Sequence, residues 1–374
     1  MPDAAAGRRG QGIYVHIPFC LRRCDYCDFT TFADRDEAIP AYVTALRTHI
    51  ERTAGEWAPF SSVFVGGGTP TYLPADDLAR ILTALRRSFP FTEDAEWTVE
   101  ANPETVTRAM AEALAAAGVT RISLGAQSFD SQVLSTLGRW HDPESVPTAV
   151  GRLRQAGIGQ LSLDLIYGTP GETDASWQRS LDAVIDLGVT HVSAYALTVE
   201  PNTPYAARVR ATPTLEPDED VQAARMGAAE QRLTAAGLRR YEVSNWAVPG
   251  RESHHNLMYW RGGDWLAFGS GAHGSWGDRR WWLVRDPERY ARLVAGGVEP
   301  LGGEEHVDAG GRRLERLMMG LRLVEGVERA DVDPLDGDAL RRVVDRGLVT
   351  ADQHRLALTA DGMALAGAVI RELA

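Results

Sequence analysis

Short apolar runs alternate with longer amphipathic stretches along the first half of the chain. The runs are rich in β-branched and aromatic residues, which is typical of buried strands, whereas the stretches between them repeat apolar residues at helical spacing. The runs that predict strands are GIYVHIP (12–18), SSVFVGG (61–67), EWTVEAN (96–102), VTRISLGAQ (119–127), QLSLDLIYG (160–168) and THVSAYALT (190–198). This alternation predicts an α/β fold with a parallel sheet, either curled into a barrel or doubly wound.

Polar or conformationally special residues stand near the ends of successive predicted strands. They are Cys20, Gly66–Gly68, Glu100, Gln127 and Asp164. The carboxyl ends of parallel strands meet at one edge of the sheet, and ligands bind at that edge in barrels and in open sheets alike. We therefore expect the functional site at this edge.

The strand–helix alternation stops near Pro201, where the composition changes. A polar segment leads into a helix predicted at 219–237, and an aromatic-rich region follows. The end of the chain, 337–374, has the pattern helix, short hairpin, helix, which resembles a winged helix, and its acidic balance favours a packing module over a DNA-binding one. The predicted segments are a disordered tail (1–11), the strand–helix unit (12–200), an extension (201–299) and a helical C-terminal domain (300–374).

The overall composition is that of a globular protein, with 44% apolar and 24% charged residues. No stretch approaches the roughly 20 apolar residues that a membrane span needs. The amino-terminal residues lack the apolar centre of a signal peptide. We therefore expect a cytoplasmic protein without a stable membrane span.

The charged residues exclude several functions. The chain has 39 basic and 51 acidic residues and a net charge of −12, so we expect no nucleic-acid partner. All of the basic residues are arginine. Because the chain has no lysine amine, Schiff-base enzymes, including those that use pyridoxal phosphate, and Walker A nucleotide binding are excluded.

The three cysteines, Cys20, Cys24 and Cys27, form a C-x3-C-x2-C string after the first predicted strand. An odd, closely spaced set in a cytosolic chain favours metal chemistry over disulfides. Three thiolates are one ligand short of a closed zinc site or a fully ligated iron–sulfur cluster. Zinc would need His16, which lies within a predicted strand. The alternative is a 4Fe–4S cluster with one iron open to an exchangeable molecule.

The cysteine spacing, with an aromatic residue before the last cysteine, resembles that of the radical SAM superfamily. The resemblance implies that S-adenosylmethionine binds the open iron and that the glycine segment Gly66–Pro70 holds its amino group. The strings YVHIPFC, GGGTPT, EANP, GAQSF and DLIYG resemble the oxygen-independent coproporphyrinogen III oxidase family over about residues 12–200. This resemblance implies a partial (β/α)6 barrel.

The same strings imply which residues contact the cofactors. The cluster ligands are Cys20, Cys24 and Cys27, and the S-adenosylmethionine contacts are Tyr14, Tyr26, Gly67, Gly68, Thr69, Glu100, Gln127, Arg139 and Asp164. Carboxylates such as Glu100 and Asp164 accept hydrogen bonds from ribose hydroxyls or an amino group, and Arg139 suits a carboxylate. A helix cap or a salt bridge is the alternative role for these charged residues.

The chain departs from the oxidases at two points. They carry a fourth cysteine two residues after the third, where this chain has Phe29, and an N-terminal extension, where this chain has only eleven residues before the first strand. Both differences point to a sister branch of heme chaperones. That branch carries an H-N-x-x-Y-W string, which 255–260 match as HNLMYW.

The resemblance makes His255 the expected heme ligand, with His254 and His273 as alternatives. An imidazole is a common axial ligand of heme iron, although a histidine beside aromatic residues is more often a hydrogen-bonded packing residue. Six of the ten tryptophans lie within 246–282 and are expected to cover the macrocycle. Because His255 is far from the cysteines in sequence, we expect separate heme and cluster sites.

These observations predict a heme chaperone that binds heme and transfers it to an acceptor protein. It would carry a 4Fe–4S cluster with exchangeable S-adenosylmethionine and would need an electron donor for the cluster. The alternative is an oxygen-independent coproporphyrinogen III oxidase, which decarboxylates the propionates of its substrate. A scaffold with a vestigial cluster fits poorly because every cluster string is intact. The family resemblance also implies a monomer–dimer equilibrium.

Overall fold

The computed structural model describes residues 10–374. Residues 1–9 of the predicted disordered tail (1–11) therefore lie outside the described residues. Gln11 is already the first residue of the first strand.

Six parallel strands, connected by helices, form the centre of the molecule. The strands are β1 (Gln11–Ile17), β2 (Phe60–Gly67), β3 (Phe91–Ala101), β4 (Arg121–Gln127), β5 (Gln160–Tyr167) and β6 (His191–Ala196). The helices are α1 (Ile39–Arg52), α2 (Ala75–Ser88), α3 (Arg108–Ala116), α4 (Ser131–Thr136), α5 (Ser145–Gln155) and α6 (Asp174–Asp186). The six predicted strands and the α/β fold class are confirmed.

The second half of the described chain adds shorter elements at both edges of the sheet and a C-terminal unit. Its helices are α7 (Pro204–Ala211), α8 (Glu219–Ala235), α9 (His254–Trp260), α10 (Pro287–Ala295), α11 (Ala309–Gly320), α12 (Arg329–Val332), α13 (Gly337–Asp345), α14 (Ala360–Ala364) and α15 (Ala366–Leu373). Its strands are β7 (Arg239–Glu242), β8 (Asn245–Ala247), β9 (Asp264–Phe268), β10 (His273–Trp276), β11 (Arg279–Leu283), β12 (Leu301–His306), β13 (Val327–Glu328), β14 (Val349–Ala351) and β15 (Arg355–Leu358).

The main sheet has twelve strands in the order β12-β11-β10-β9-β1-β2-β3-β4-β5-β6-β8-β7. Strands β1 to β6 pair in parallel, and β9 also runs parallel to β1. The strands at both outer edges are antiparallel. The sheet is thus a partial barrel in which β9, late in the chain, lies beside the strand that precedes the cysteines.

The two faces of the parallel strands differ in polarity. On β4, Ile122 and Leu124 are buried against the helices, whereas Arg121, Ser123 and Gly125 face the interior of the barrel. Successive residues of a strand point to opposite faces, so this alternation gives an apolar outer layer and a polar inner face. Barrel interiors are commonly filled by branched apolar side chains. Here the shorter polar side chains leave a cavity.

Helix α9 closes the barrel at the amino ends of the strands. The carboxylate of Glu96 on β3 accepts hydrogen bonds from the backbone N–H groups of His254 (3.1 Å) and His255 (3.2 Å) and from the hydroxyl of Ser253 (3.2 Å). A carboxylate at the start of a helix satisfies N–H groups that have no partner within the helix. This contact fixes the helix that carries the H-N-x-x-Y-W string beneath the barrel.

The C-terminal unit has its own hydrophobic core, which includes Leu317, Val343, Leu356 and Val369. Its three strands have the order β13-β15-β14, and the sequence α13, β14, β15, α14 reproduces the predicted helix, hairpin, helix pattern. Strand β12 falls within the predicted C-terminal domain (300–374), but it pairs with β11 and so belongs to the main sheet. Within residues 10–374, no helix has the length and apolar character needed to cross a bilayer.

Candidate functional site

A cavity of about 560 Å³ runs through the barrel from the cysteine loop to helix α9. All thirteen predicted site residues line it: Tyr14, Cys20, Cys24, Tyr26, Cys27, Gly67, Gly68, Thr69, Glu100, Gln127, Arg139, Asp164 and His255. They come from β1 to β5, from the loops that follow these strands and from α9. The fold therefore gathers residues that are more than two hundred positions apart.

The cysteine loop follows β1 and is closed by backbone hydrogen bonds. The N–H of Cys20 donates to the carbonyl of Phe32 (3.0 Å), and the N–H of Cys27 donates to that of Cys24 (3.2 Å). Two of the sulfurs accept hydrogen bonds from outside the loop, Cys20 from the Thr69 hydroxyl (3.6 Å) and Cys24 from the Arg139 guanidinium (3.4 Å). With the loop held in this way, all three cysteines line the cavity.

Burial raises the pKa of the Cys20 thiol to about 12, an effect that the hydrogen bond from Thr69 offsets only in part. Metal binding displaces such a proton because the thiolate is the ligand. In the part of the chain that the structure describes, no group of three or more His, Cys, Asp or Glu side chains has the arrangement of a metal-ion site. Cysteines of an iron–sulfur cluster bind different irons and stand further apart than the ligands of one ion.

His16, the fourth ligand that a zinc site would need, is engaged elsewhere. Its Nε2 donates to the carbonyl of Thr30 (2.8 Å), so its Nδ1 is the acceptor for the Tyr14 hydroxyl (2.9 Å). Burial lowers its pKa to about 4. The ring thus ties the far end of the cysteine loop to β1, and no ring nitrogen is directed to the thiols.

The glycine turn after β2 requires residues without a Cβ atom. Gly67 has a φ of +112°, and a Cβ there would lie 2.5 Å from the His16 ring. A Cβ at Gly68 would lie 2.7 Å from the Phe19 carbonyl oxygen and 2.9 Å from the Cys20 sulfur. The backbone can therefore lie directly beside the cysteine loop and form a close wall for a ligand.

Two half-buried carboxyl groups stand below the glycine turn. Glu100 accepts a hydrogen bond from the N–H of Gly67 (3.0 Å), and burial, together with the charge of Asp164, raises its pKa to about 8. Asp164 accepts hydrogen bonds from Ser123 (2.9 Å) and Ser162 (3.3 Å), while burial raises its pKa. Both groups are placed to accept hydrogen bonds from a polar ligand.

Asn102 is a site residue that the sequence reasoning missed. Its Nδ2 donates to the Thr69 hydroxyl (3.1 Å), and its Oδ1 accepts from the guanidinium of Arg139 (3.0 Å), which also donates to the carbonyl of Gly125 (2.8 Å). Asn102 thus links the two donors that reach the cysteine sulfurs. The signal was present, because Asn102 belongs to the EANP string from which only Glu100 was selected.

His255 is 1% exposed and stacks on Phe64, with ring centroids 5.3 Å apart. Its Nδ1 is hydrogen-bonded to the Ser62 hydroxyl (2.9 Å) and its Nε2 to the Tyr259 hydroxyl (2.9 Å). Burial lowers its pKa to about 3, which keeps the imidazole neutral. A Cβ at Gly12 would lie 3.0 Å from the ring, so a glycine on β1 makes room for it.

His255 and the cysteines, although far apart in the sequence, line one cavity, the cysteines at the carboxyl ends of the strands and His255 at the amino ends. One expectation about this region is wrong. The tryptophans do not cover that cavity: among the residues that the structure describes, none of the six between Trp246 and Trp282 lines it. Five of them lie on strands of the barrel wall and its antiparallel extension, and Trp260 ends α9 beside Arg322. His254 and His273 are exposed and lie outside its lining.

Comparison with known proteins agrees with this arrangement. The sequence model of the radical SAM superfamily matches residues 14–184. The heme chaperone HemW of Mycobacterium tuberculosis is 44% identical over 97% of this chain and 94% of its own length. The chain belongs to the HemW family. The HemW of Escherichia coli is 35% identical over 90% of this chain and 89% of its own length.

The structure also matches a solved member of the same superfamily. The coproporphyrinogen III oxidase HemN of Escherichia coli superposes with a TM-score of 0.82 over 98% of this chain and 91% of its own, at 24% identity. At that identity the match shows a common fold. The α/β partial barrel with its C-terminal helical region is therefore shared by the HemW family and this oxidase.

Proposed function

We propose that this protein binds heme through His255 and delivers it to acceptor proteins. We further propose that Cys20, Cys24 and Cys27 hold a 4Fe–4S cluster to which S-adenosylmethionine binds exchangeably. The observation that supports this most directly is that the cysteines and the histidine of the H-N-x-x-Y-W string line one cavity. Membership of the HemW family supports the heme role in particular.

The residues at the carboxyl ends of the strands fit the cluster and S-adenosylmethionine. Three cysteines leave one iron without a protein ligand, and such an iron can bind an amino and a carboxylate group. The guanidinium of Arg139 offsets the negative charge of the Cys24 thiolate, to which it donates at 3.4 Å. Glu100 and Asp164 offer acceptors to ribose hydroxyls, and Gly67 and Gly68 leave room for the ligand against their backbone.

The environment of His255 fits an axial ligand to heme iron. Metal ligation requires a neutral imidazole, and burial lowers the pKa of His255 to about 3. The hydrogen bond from one ring nitrogen to Ser62 orients the ring, as partners of metal-ligating histidines do. The other nitrogen, Nε2, meets Tyr259, which lines the cavity. Release of the Tyr259 hydroxyl would give iron access to Nε2.

Delivery of heme needs partners outside this chain, namely an acceptor protein and an electron donor for the cluster. Three free thiols at a cluster site fit a reducing, cytoplasmic setting. Phe29, at the position of the oxidases' fourth cysteine, is 61% exposed at the edge of the same cavity. The apolar side chain of Phe29 supports the proposal that this protein has the fold of the oxidases but a different function, because it lacks their full set of cysteines.

Transfer of heme to an acceptor tests this function. The protein is reconstituted anaerobically, loaded with one hemin per chain and mixed with apomyoglobin. The appearance of the myoglobin spectrum measures transfer, and free hemin and hemin-loaded bovine albumin are the controls. We expect stoichiometric loading, followed by transfer. His255→Ala should load hemin more weakly than the wild type. Two results together would instead identify an oxidase. They are release of carbon dioxide from coproporphyrinogen III in the presence of S-adenosylmethionine and a reductant, and failure to bind hemin stably.

A further inference from the structure

The cavity continues below the two carboxyl groups into a polar chamber at the amino ends of the strands. The chamber is lined by Thr98, Arg121, His191, Ser193, Asn245, Ser253 and Asn256. None of these residues belongs to the cysteine loop or the glycine turn. The chamber is closed underneath by α9, the helix that carries His255.

Arg121 is the cation of this chamber. It is the first residue of β4, and its side chain faces inward and is 2% exposed. Its Nη1 donates to the backbone carbonyl of Arg251 (3.1 Å), which uses one of the five N–H groups of a guanidinium. Among residues 10–374, no carboxylate forms an ion pair with Arg121. A buried arginine that contacts no carboxylate directly is unusual, because buried charges are normally paired.

The carboxylates nearest to this level of the barrel are committed to other donors. Glu96 accepts from Ser253 and from two backbone N–H groups at the start of α9. Asp164 accepts from the hydroxyls of Ser123 and Ser162. Asp164 lies close enough for the positive charge of Arg121 to lower its pKa, against the larger effect of burial. Within residues 10–374, neither carboxylate forms an ion pair with Arg121, although both lie on neighbouring strands.

Two further polar atoms of the chamber are without partners. The hydroxyl of Thr98, which stands beside Arg121 in the β3–β4 register, is buried and has no hydrogen-bond partner among residues 10–374. The side-chain oxygen of Asn245 is also buried without one. Buried polar groups in proteins are nearly always satisfied by protein, water or ligand. These unsatisfied groups indicate that the chamber is built around a polar ligand group.

We propose that Arg121 binds a carboxylate of the ligand held in the barrel, and that this carboxylate is a heme propionate. The assignment to heme rests on the proposed function. A planar guanidinium forms paired hydrogen bonds with a carboxylate, which satisfies both its charge and its free N–H groups. His255 and Arg121 line the same cavity, so one ligand can place its iron at the imidazole and its acid group in the chamber.

The position of Arg121 distinguishes a propionate from the carboxylate of S-adenosylmethionine. The proposed cluster lies beyond the carboxyl ends of the strands, whereas Arg121 is at the amino end of β4. Gln127 lies six positions further along β4, which is about 20 Å of extended chain. A carboxylate bound to the open iron would lie at the opposite end of the cavity.

Hemin and hemin dimethyl ester test the proposal, because the ester keeps the iron and the ring but has no acid group. The wild type should bind hemin at least about tenfold more tightly than the ester. Arg121→Gln should lose this preference, because its affinity for hemin falls while its affinity for the ester does not change. Arg121→Lys keeps the charge but not the planar guanidinium and should retain part of the preference. The control is Arg225→Gln, which removes another buried arginine, ion-paired to Glu172 at 3.1 Å and outside the cavity lining. It should leave the preference unchanged.

Each result bears on a different part of the proposal. Equal affinity of the wild type for hemin and its ester overturns the proposal even if Arg121→Gln does not fold. Unchanged hemin binding by folded Arg121→Gln also overturns it and leaves the heme function intact. Loss of S-adenosylmethionine binding in Arg121→Gln, with normal hemin binding, would assign the carboxylate to S-adenosylmethionine instead. Absence of hemin binding by the wild type would contradict the proposed function and this inference together.

Discussion

The hydroxyl of Tyr259 is hydrogen-bonded to Nε2 of His255 at 2.9 Å. The other ring nitrogen is hydrogen-bonded to Ser62, so both nitrogens have partners. An imidazole ligates iron through a nitrogen lone pair, and ligation must therefore break one of these bonds. Tyr259 lines the cavity and Ser62 does not, so the bond to Tyr259 is the one that a ligand can replace.

Tyr259→Phe should therefore bind hemin more tightly than the wild type. The variant removes the hydroxyl that competes for Nε2, and a hydrogen bond contributes about 0.5–1.5 kcal/mol, which corresponds to a gain of about two- to tenfold in affinity. Absorption titrations with hemin measure the effect. The control is Tyr290→Phe, which removes a buried hydroxyl bonded to Nδ1 of His49 (2.8 Å) outside the cavity lining and should change the affinity little. Weaker binding by Tyr259→Phe would show that the tyrosine assists the ligand rather than competing with it.

Replacement of Cys20, Cys24 or Cys27 by Ala should each abolish the brown iron–sulfur chromophore. The chain has no other cysteine, so no thiol can substitute for the one removed. The anaerobically reconstituted wild type should contain about four irons and four sulfides per chain. Phe29→Ala, in the same loop, is the control and should keep them. A wild type that holds one zinc ion and no sulfide would contradict the cluster.

Gly67→Ala should weaken the response of the reduced cluster to S-adenosylmethionine. The new Cβ would lie 2.5 Å from the His16 ring at a φ of +112°, so the turn must shift and its backbone leaves the position that faces the ligand. Electron paramagnetic resonance with increasing S-adenosylmethionine measures the change. Gly157→Ala is a matched control, because Gly157 also has a positive φ (+94°) but has no atom within 4 Å of its Cβ position. Equal titrations for both variants would remove the glycine turn from the binding site.

Glu100→Gln should stabilise the cofactor-free protein at alkaline pH. The pKa of Glu100 is raised to about 8, so between about pH 5 and about pH 8 the folded state keeps a proton that the unfolded state has lost. Stability contributed by the protonated group is therefore lost as the pH rises through this range. Glutamine cannot ionise, and the variant should gain several kcal/mol at about pH 8, because each unit of pKa difference corresponds to about 1.4 kcal/mol.

Urea unfolding across this pH range measures the difference. Glu51→Gln, at an exposed position on α1, is the control for removal of a glutamate carboxyl group and should not reproduce the gain at alkaline pH. A Glu100→Gln effect that is independent of pH would show that the carboxyl group ionises normally in the folded protein.

The sequence was sufficient for the parallel core and for the residues that line the cavity at its carboxyl edge. Apolar runs such as VTRISLGAQ follow local rules of strand formation, and the motif strings carry Cys20, Gly67 and Glu100 at fixed places after strands. Arg121 could have been recognised as well. In the same run, Arg121 and Ser123 alternate with Ile122 and Leu124, which indicates a strand with a polar inner face.

The relationships that the sequence did not predict depend on long-range pairing. The position of His255 beneath the barrel follows from β9 pairing with β1 and from Glu96 binding the start of α9, and neither contact has a local signal. The clustering of tryptophans along the chain was misleading for a similar reason. Trp281 and Trp282 lie on β11, in the antiparallel extension, so proximity in sequence to His255 did not place them at its cavity.

The absorption spectrum of hemin bound to His255→Ala tests the central claim most directly. The wild type should show a Soret band typical of imidazole ligation, and His255→Ala should shift or lose it, while His254→Ala and His273→Ala, which alter exposed histidines, should keep it. Retention of the wild-type spectrum by His255→Ala, with its loss in either of the other two variants, would contradict the assignment of His255 as the heme ligand.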